Sequence, residues 1–279
     1  MLLLPLADGS TWIFSDPQNG THQTLDLLAS ALGLTCIEDR SDLRMAADDS
    51  LLYVMNIRNS REPHHAIRLP AMRKKTIMWR IGSSRHPRLH LVNASRIAQF
   101  VGINVEQRGG ILMHGALLAK EGKGIILAGP SGAGKSTAGR RLRHPGRALS
   151  DDMVLVVKNK AGEYKAHPWP TWSRVERKDP RGNVDATRAV PLHGVFYIEQ
   201  SFEDSAFPID RKNAIGMLLG CAEIATGSMV RQAKRKETVS IMKRRFHNLF
   251  DLASSLPQHQ LRISMTGPYW EKIEKILAI

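Results

Sequence analysis

The stretch Gly129-Pro130-Ser131-Gly132-Ala133-Gly134-Lys135-Ser136 fits G-x-x-x-x-G-K-[ST], the pattern of a phosphate-binding loop. Glycines open backbone angles closed to other residues, so successive N–H groups can face one concavity. A helix opening at Lys135 would add its N-terminal partial positive charge at the same spot. Lys135 would then reach the β- and γ-phosphates of a nucleotide, and the Ser136 hydroxyl would join the shell of a Mg²⁺ ion. The apolar run "GIILA" precedes the loop and a helical pattern follows it, the order this chemistry requires.

Phosphoryl chemistry with a metal also needs a carboxylate at the end of a neighbouring strand. Asp151 and Asp152 stand before the apolar run "MVLVV". Adjacent strand residues point to opposite faces, so the two acids divide their work unless the backbone bends there. One could hold Mg²⁺ while the other takes a proton from a hydroxyl. His114 lies in "LMHGALLA", which the turn "KEGKG" folds back antiparallel to "GIILAG". That brings it near the carboxyl end of the loop-bearing strand, where an imidazole could contact a γ-phosphate or steer a catalytic carboxylate.

Two regions must position these groups. Residues 1–105 read as a leading α/β region. Two short strands flank an Asp8-Gly9 turn, and a helix over 21–33 starts at a Thr21 cap, with Leu25, Leu28 and Leu32 on one stripe. "SLLYVMNI" and "KTIMWRI" are strand-like, separated by the loop "RNSREPHHAIRLP", and "NASRIAQFVGINVEQ" is a helix ended by Gly109-Gly110. Residues 106–279 carry the chemistry. "RALSDDMVLVVK" reads as one strand leading to a hairpin at "NKAGE", and "VPLHGVFYIEQ" as another. "RKNAIGMLLGCAEIA" and "SIMKRRFHNLFDLASSL" have helical spacing, the second with Met242, Phe246, Leu249 and Ala253 on one face.

The chain has 279 residues, 42% hydrophobic and 24% charged, a balance that can bury a real core. No apolar run approaches the roughly 20 residues that cross a bilayer, and "MLLLPLADGS" lacks the basic lead and cleavage site of a secretory signal. A membrane is not expected. Cys36 and Cys221, far apart and without metal-ligand neighbours, argue against a disulfide framework and for a reducing cytoplasm. The net charge of +14 draws in polyanions: nucleotides, acidic peptides or nucleic acid. No RNA- or DNA-reading motif accompanies it, so nucleic acid is not the expected partner. The basic run "RQAKRKETVSIMKRRF" reads either as a solvated face, with Arg231, Arg235 and Arg245 turned to water, or as a docking strip for an acidic peptide or nucleotide phosphates. A second basic stretch runs from Arg58 to Arg88.

"HGALLAKEGKGIILAGPSGAGKST … LSDD" resembles the catalytic core of the HPr kinase/phosphorylase family. The shared features are a His-Gly before the loop, Ser131 within it and the paired Asp after the following helix. The similarity extends more weakly to "VPLHGVFYI" and "FPIDRKNAIGMLLGCA". It implies an α/β fold of the HPr kinase / phosphoenolpyruvate carboxykinase-like type, a P-loop kinase core with a mixed sheet and flanking helices, using ATP and Mg²⁺. In that reading His114 lines the γ-phosphate site, and residues Gly129 to Thr137 contact the nucleotide. Lys135 and Ser136 bind phosphate and metal. Asp151 is the general base and Asp152 the metal ligand, two roles that could be exchanged. Arg211 and Asn213 approach the phosphates. The chain departs from the family in having Thr137 directly after the loop serine, and "IDRKN" in place of a Pro-Gly-Arg-Asn element.

"LADGSTW" near the start and "HPWPTWS" at 167–173 further resemble the shorter HPr kinase-like proteins of peptide-maturation cassettes, among them the SynChlorMet cassette protein ScmC and the kinases acting on lasso-peptide precursors. That resemblance implies a serine (or threonine) kinase of a small protein or ribosomal precursor peptide, working beside other cassette enzymes, with a homo-oligomer allowed. "HPWPTWS" could equally be a rigid loop whose Trp169 and Trp172 pack on the core. Two alternatives remain: a small-molecule P-loop kinase, and a non-catalytic nucleotide-binding partner of a maturation complex.

Overall fold

The structure, a computed structural model, describes residues 2–14, 22–36, 87–233 and 235–277. The Thr21 cap, the runs "SLLYVMNI" and "KTIMWRI", the loop between them, and all but the end of the Arg58–Arg88 stretch lie outside those residues.

The chain opens with the hairpin β1 (Leu2–Pro5) and β2 (Thr11–Phe14), then α1 (His22–Leu32) and α2 (Pro87–Val105). It continues through β3 (Ile111–His114), β4 (Ala116–Lys120), β5 (Lys123–Ala128), α3 (Lys135–Arg141), β6 (Arg147–Ser150), β7 (Met153–Lys158), β8 (Tyr164–Trp169) and α4 (Trp172–Glu176). Last come β9 (Val190–Gln200), β10 (Ser205–Pro208), α5 (Arg211–Gln232), α6 (Arg235–Ser255), β11 (Gln258–Ile263) and α7 (Tyr269–Leu277). The fold is α/β, a mixed sheet with flanking helices. Its strands run β3-β7-β8-β9-β5-β4-β6, with β11 also beside β9 and β10 beyond β11. β5 and β11 lie parallel to β9 while the other pairs are antiparallel.

Two runs that read as single strands are each broken in the middle. "GILMHGALLA" forms β3 and β4, interrupted at Gly115, and "RALSDDMVLVVK" forms β6 and β7, interrupted at Asp151-Asp152. The breaks face each other: His114 is opposite Met153 and Leu117 opposite Ser150. Gly115 permits the bend because β5 passes close by. A Cβ there would lie 2.9 Å from Ile126 Cγ2 and 3.1 Å from the Leu127 carbonyl oxygen.

Alternation along β5 fills both faces of the sheet. Ile126 and Ala128 join the core under α5 and α6, whereas Ile125 and Leu127 join the one under α3 and α7. A third cluster unites Trp12, Leu28, Leu32 and Phe100 of the leading region with Leu155, Trp169 and Val230. His167 adds a polar fastening. The Ala7 N–H donates to its Nε2 at 3.0 Å, and its Nδ1 lies 2.7 Å from the Ala186 carbonyl oxygen. Together those partners define the neutral tautomer with the proton on Nδ1. "LADGSTW" and "HPWPTWS", far apart in sequence, thus meet in space, and Trp169 is fully buried with Trp172 packed beside it.

α6 corrects two expectations. Its core face carries Ile241, Arg245, Asn248, Leu249 and Leu252, while Met242 and Phe246 are 39% and 46% exposed. Arg245 does not face water. It is fully buried and donates to Glu106 Oε1 from Nε (3.0 Å) and Nη2 (2.7 Å), and from Nη2 to the Thr226 hydroxyl. Arg231 and Arg235 are exposed as expected. The apolar-run expectation also needs amending, because α5 is long and apolar enough by length and composition to cross a bilayer. Its apolar side instead packs Ala214, Leu218 and Ala222 into the core under the sheet.

Burial pushes the Glu106 carboxyl up to about 7 against the opposing pull of Arg245, whose guanidinium donates two hydrogen bonds to it. Arg245→Ala should therefore cost about 3–5 kcal/mol, the penalty for leaving one buried charge alone. A Glu106→Met/Arg245→Met double replacement should recover most of that loss. Urea unfolding of the three proteins checks both.

Candidate functional site

β5 ends at Ala128 and the chain enters the 129–134 loop before α3 begins at Lys135. Gly132 and Gly134 hold φ of +83° and +102°, angles a side chain would strain. Gln200, at the end of β9, steadies the loop by donating from Nε2 to the Gly132 carbonyl oxygen at 2.9 Å. Pro130, Ser131, Gly132 and Thr137 are exposed, Gly129, Gly134 and Ser136 less so. Lys135 is buried, and its ammonium donates to the carbonyl oxygens of Gly129 and Pro130, each at 2.8 Å. The loop thus supplies its lysine with temporary acceptors inside its own concavity.

The bend at residues 151–152 sends the two acids to different places. The Gly115 N–H donates to the Asp152 carbonyl oxygen at 2.9 Å, and the Ser150 hydroxyl donates to the Met153 carbonyl oxygen at 2.7 Å. With the backbone held so, Asp152 Oδ1 lies 3.3 Å from His114 Nδ1; burial lowers the Lys135 pKa, and the nearby Asp152 carboxylate opposes that shift. Asp151 turns the other way. Its Oδ1 accepts from the Thr171 hydroxyl at 3.1 Å, and its Oδ2 pairs with Arg174 Nη2 at 2.6 Å. Arg174 also pairs with Asp179, which takes the Arg181 guanidinium too.

His114, Lys135 and Asp152 therefore form one cluster. Asp151 belongs to a second, joined to the loop by a cavity of about 210 Å³ that Ser136, Asp151, Arg174 and Arg181 all line. Arg211 and Asn213 are engaged elsewhere. Arg211 lies 5.3 Å over the Phe250 ring, and Asn213 bonds Asp210, the cap of α5. No contact with the loop is seen for either among the described residues. α5 does reach the loop through the buried Cys221, whose thiol interacts with the Gly129 backbone and feels the Lys135 charge.

Thr171, Arg174, Arg181 and Gln200 escape a reading of the sequence. Thr171 had a signal, since it sits in "HPWPTWS"; the motif is both core packing at Trp169 and a hydroxyl on Asp151. The others had none, because single Arg and Gln residues in loops or at strand ends have no diagnostic spacing.

Burial, and then the Lys135 charge, lower the His114 pKa, with Asp152 opposing. Its Nε2 is buried without a partner. The ring is therefore neutral at pH 7. Just below its ordinary value near pH 6.5, the unfolded chain takes a proton that the folded chain refuses, so this residue's contribution to stability is lost as pH falls through that window. Long-range ¹H–¹⁵N NMR should find the His114 imidazole still neutral at pH 6.5; a protonated ring there would contradict the geometry.

A family profile described as SynChlorMet cassette protein ScmC matches residues 78–278. No curated protein matches the chain. The matched span contains β3 to α7 and hence the loop, both acids, His114 and the Arg174 group. By that match over most of its length, the chain belongs to the ScmC family of SynChlorMet cassette proteins.

Proposed function

We propose that this protein is an ATP-dependent kinase with a P-loop core of the HPr kinase-like type, transferring the γ-phosphoryl group to a serine or threonine hydroxyl of a small protein or precursor peptide. The observation that carries it is the convergence of Lys135, His114 and Asp152 beside a glycine loop, with Asp151 and Ser136 lining one cavity. Membership of a cassette family supports a peptide-maturation setting, and the reducing cytoplasm expected from cysteine usage suits ATP chemistry.

The donors fit Mg²⁺. Ser136 and Asp152 offer hard oxygens, and no group of three or more His, Cys, Asp or Glu that could cage a metal occurs among the described residues. Such a site suits an ion that takes one or two protein ligands and shares the rest with phosphates and water. When bound, Mg²⁺ neutralises charge on the phosphates. His114 stays neutral and orients the Asp152 carboxylate through Nδ1. Lys135 exchanges the Gly129 and Pro130 carbonyl oxygens for phosphate oxygens.

Asp151 is fixed by Thr171 and Arg174 beside the cavity that an acceptor would enter. The acceptor oxygen bonds to the γ-phosphorus as the bond from that phosphorus to the β–γ bridging oxygen breaks; its proton passes to Asp151 and ADP leaves. The transition state is loose, so what the Asp151 carboxylate contributes is chiefly its position beside the attacking hydroxyl. Catalysis rests on positioning and charge neutralisation.

Lys135→Ala should abolish transfer from labelled ATP to cassette-encoded peptides, read by mass spectrometry, while circular dichroism stays unchanged. Asp151→Asn should lower kcat by about 10²-fold or more and leave Mg·ATP affinity within about twofold, whereas Asp152→Asn should weaken that affinity. The opposite pattern would exchange the two roles, full activity in Lys135→Ala would remove the kinase assignment, and ATP binding without turnover on any acceptor would leave a nucleotide-binding partner.

A further inference from the structure

Beyond Asp151 the surface continues as a cationic groove. The cavity holding Ser136 and Asp151 is followed by one of about 780 Å³ between the end of α3 and the start of α7, walled by Arg143, His144, Tyr269 and Trp270. Arg140 lines both, standing between them at the end of α3.

The charges on this groove are unequal in employment. Arg141 is structural: it donates to the Ser264 and Gly267 carbonyl oxygens and lies 5.3 Å over the Tyr269 ring, fastening α7 to α3. Arg174 and Arg181 are matched by Asp151 and Asp179. Glu274 is taken by Lys120 and by the Trp270 indole N–H, and Glu271 stands exposed on the wall. Arg140, Arg143 and His144 are exposed and have no ion-pair partner among the described residues; Arg140 donates only to the Thr137 hydroxyl. A helix C-terminus favours cations in its last turn, which accounts for Arg140 and Arg141. It does not account for Arg143 and His144, which lie past the helix end on the rim of a walled cavity. Like charges held together beside a reaction site complement an anion.

We propose that this groove binds an acidic segment of the acceptor polypeptide, whose carboxylates meet Arg140 and Arg143 while its phosphorylated hydroxyl lies at Asp151. The proposal rests on the kinase reading for the hydroxyl but not for the groove. α3 is about 10 Å long, the span of roughly three residues of extended chain. The acidic residues therefore stand about three positions from the modified serine or threonine. Met265, 85% exposed, offers apolar contact at the far end.

The test uses the full chain and fluorescein-labelled serine peptides carrying Asp-Glu three positions before or after the serine, with Lys-Lys peptides as controls. Anisotropy without nucleotide should give about tenfold tighter binding of one acidic peptide, an advantage that shrinks as salt rises from about 50 to 200 mM. Arg143→Glu should erase it while ATP binding and thermal melting are unchanged, and Arg143→Ala should act in the same direction. The same peptide should have the higher kcat/KM, through KM. Equal binding of acidic and basic peptides, an undiminished preference in Arg143→Glu, or preference for an oligonucleotide over the peptide would overturn the proposal. Arg143-dependent peptide binding without any transfer would leave the groove and remove the kinase; transfer with no acidic preference would do the reverse.

Discussion

One backbone contact organises the site: the Gly115 N–H on the Asp152 carbonyl oxygen, 2.9 Å away, at the point where two long strand runs break together. A regular antiparallel pair would have carried residues 110–120 and 147–158 straight past each other. Close packing of β5 against Gly115 allows both to bend, and the bend changes what the paired acids can do. Asp152 meets His114 and the lysine of the loop, and Asp151 meets Thr171 and Arg174. Any side chain at 115 would push against Ile126 and the Leu127 carbonyl, displacing β5 just ahead of the loop it delivers. The loop, the imidazole and both acids thus depend on a single missing methyl group.

The surroundings make that geometry stiff. The leading hairpin is tied to β8 through the Ala7 N–H and His167, with Trp12 and Trp169 buried in one cluster. Two residues beyond Trp169 the chain delivers Thr171 to Asp151. A region that looks detachable in sequence therefore supports the strand that orients one of the acids. On the opposite side, Asn248 of α6 donates to the carbonyl oxygens of Glu106 and Gly110 beside the Arg245–Glu106 pair. These bonds hold the turn that leads into β3 and His114. Buried polar groups of this kind add little net stability but penalise every alternative arrangement.

Electrostatically, the basic excess is not spread evenly in its effect. Cations in the interior are engaged by the fold, Lys135 by carbonyl oxygens and Arg245 by the Glu106 carboxylate. The exposed ones at the end of α3 are not. The basic run at 231–246, the most conspicuous in the sequence, divides into exposed residues and a core arginine, whereas the quieter Arg140–His144 stretch borders the loop.

The G-x-x-x-x-G-K-S loop between strand and helix, the Asp8-Gly9 and Asn159–Glu163 turns, the long strand at 190–200 and the helices after it were legible in residue types and spacing, because local backbone preference and hydrophobic period act over a few neighbours. So was the company of His114, Lys135 and one acid of the Asp151-Asp152 pair. Tertiary structure alone determined that two apparent strands are four, that Asp151 and Asp152 part, that Arg245 is core and Phe246 surface, and that Arg174, Arg181 and Gln200 join the site while Arg211 and Asn213 bond elsewhere. Each of those outcomes turns on a contact between residues distant in the chain: β5 on Gly115, Glu106 under Arg245, Thr171 beside Asp151. Periodicity reports which side of an element is apolar, but only packing reveals which neighbour a polar group finds there.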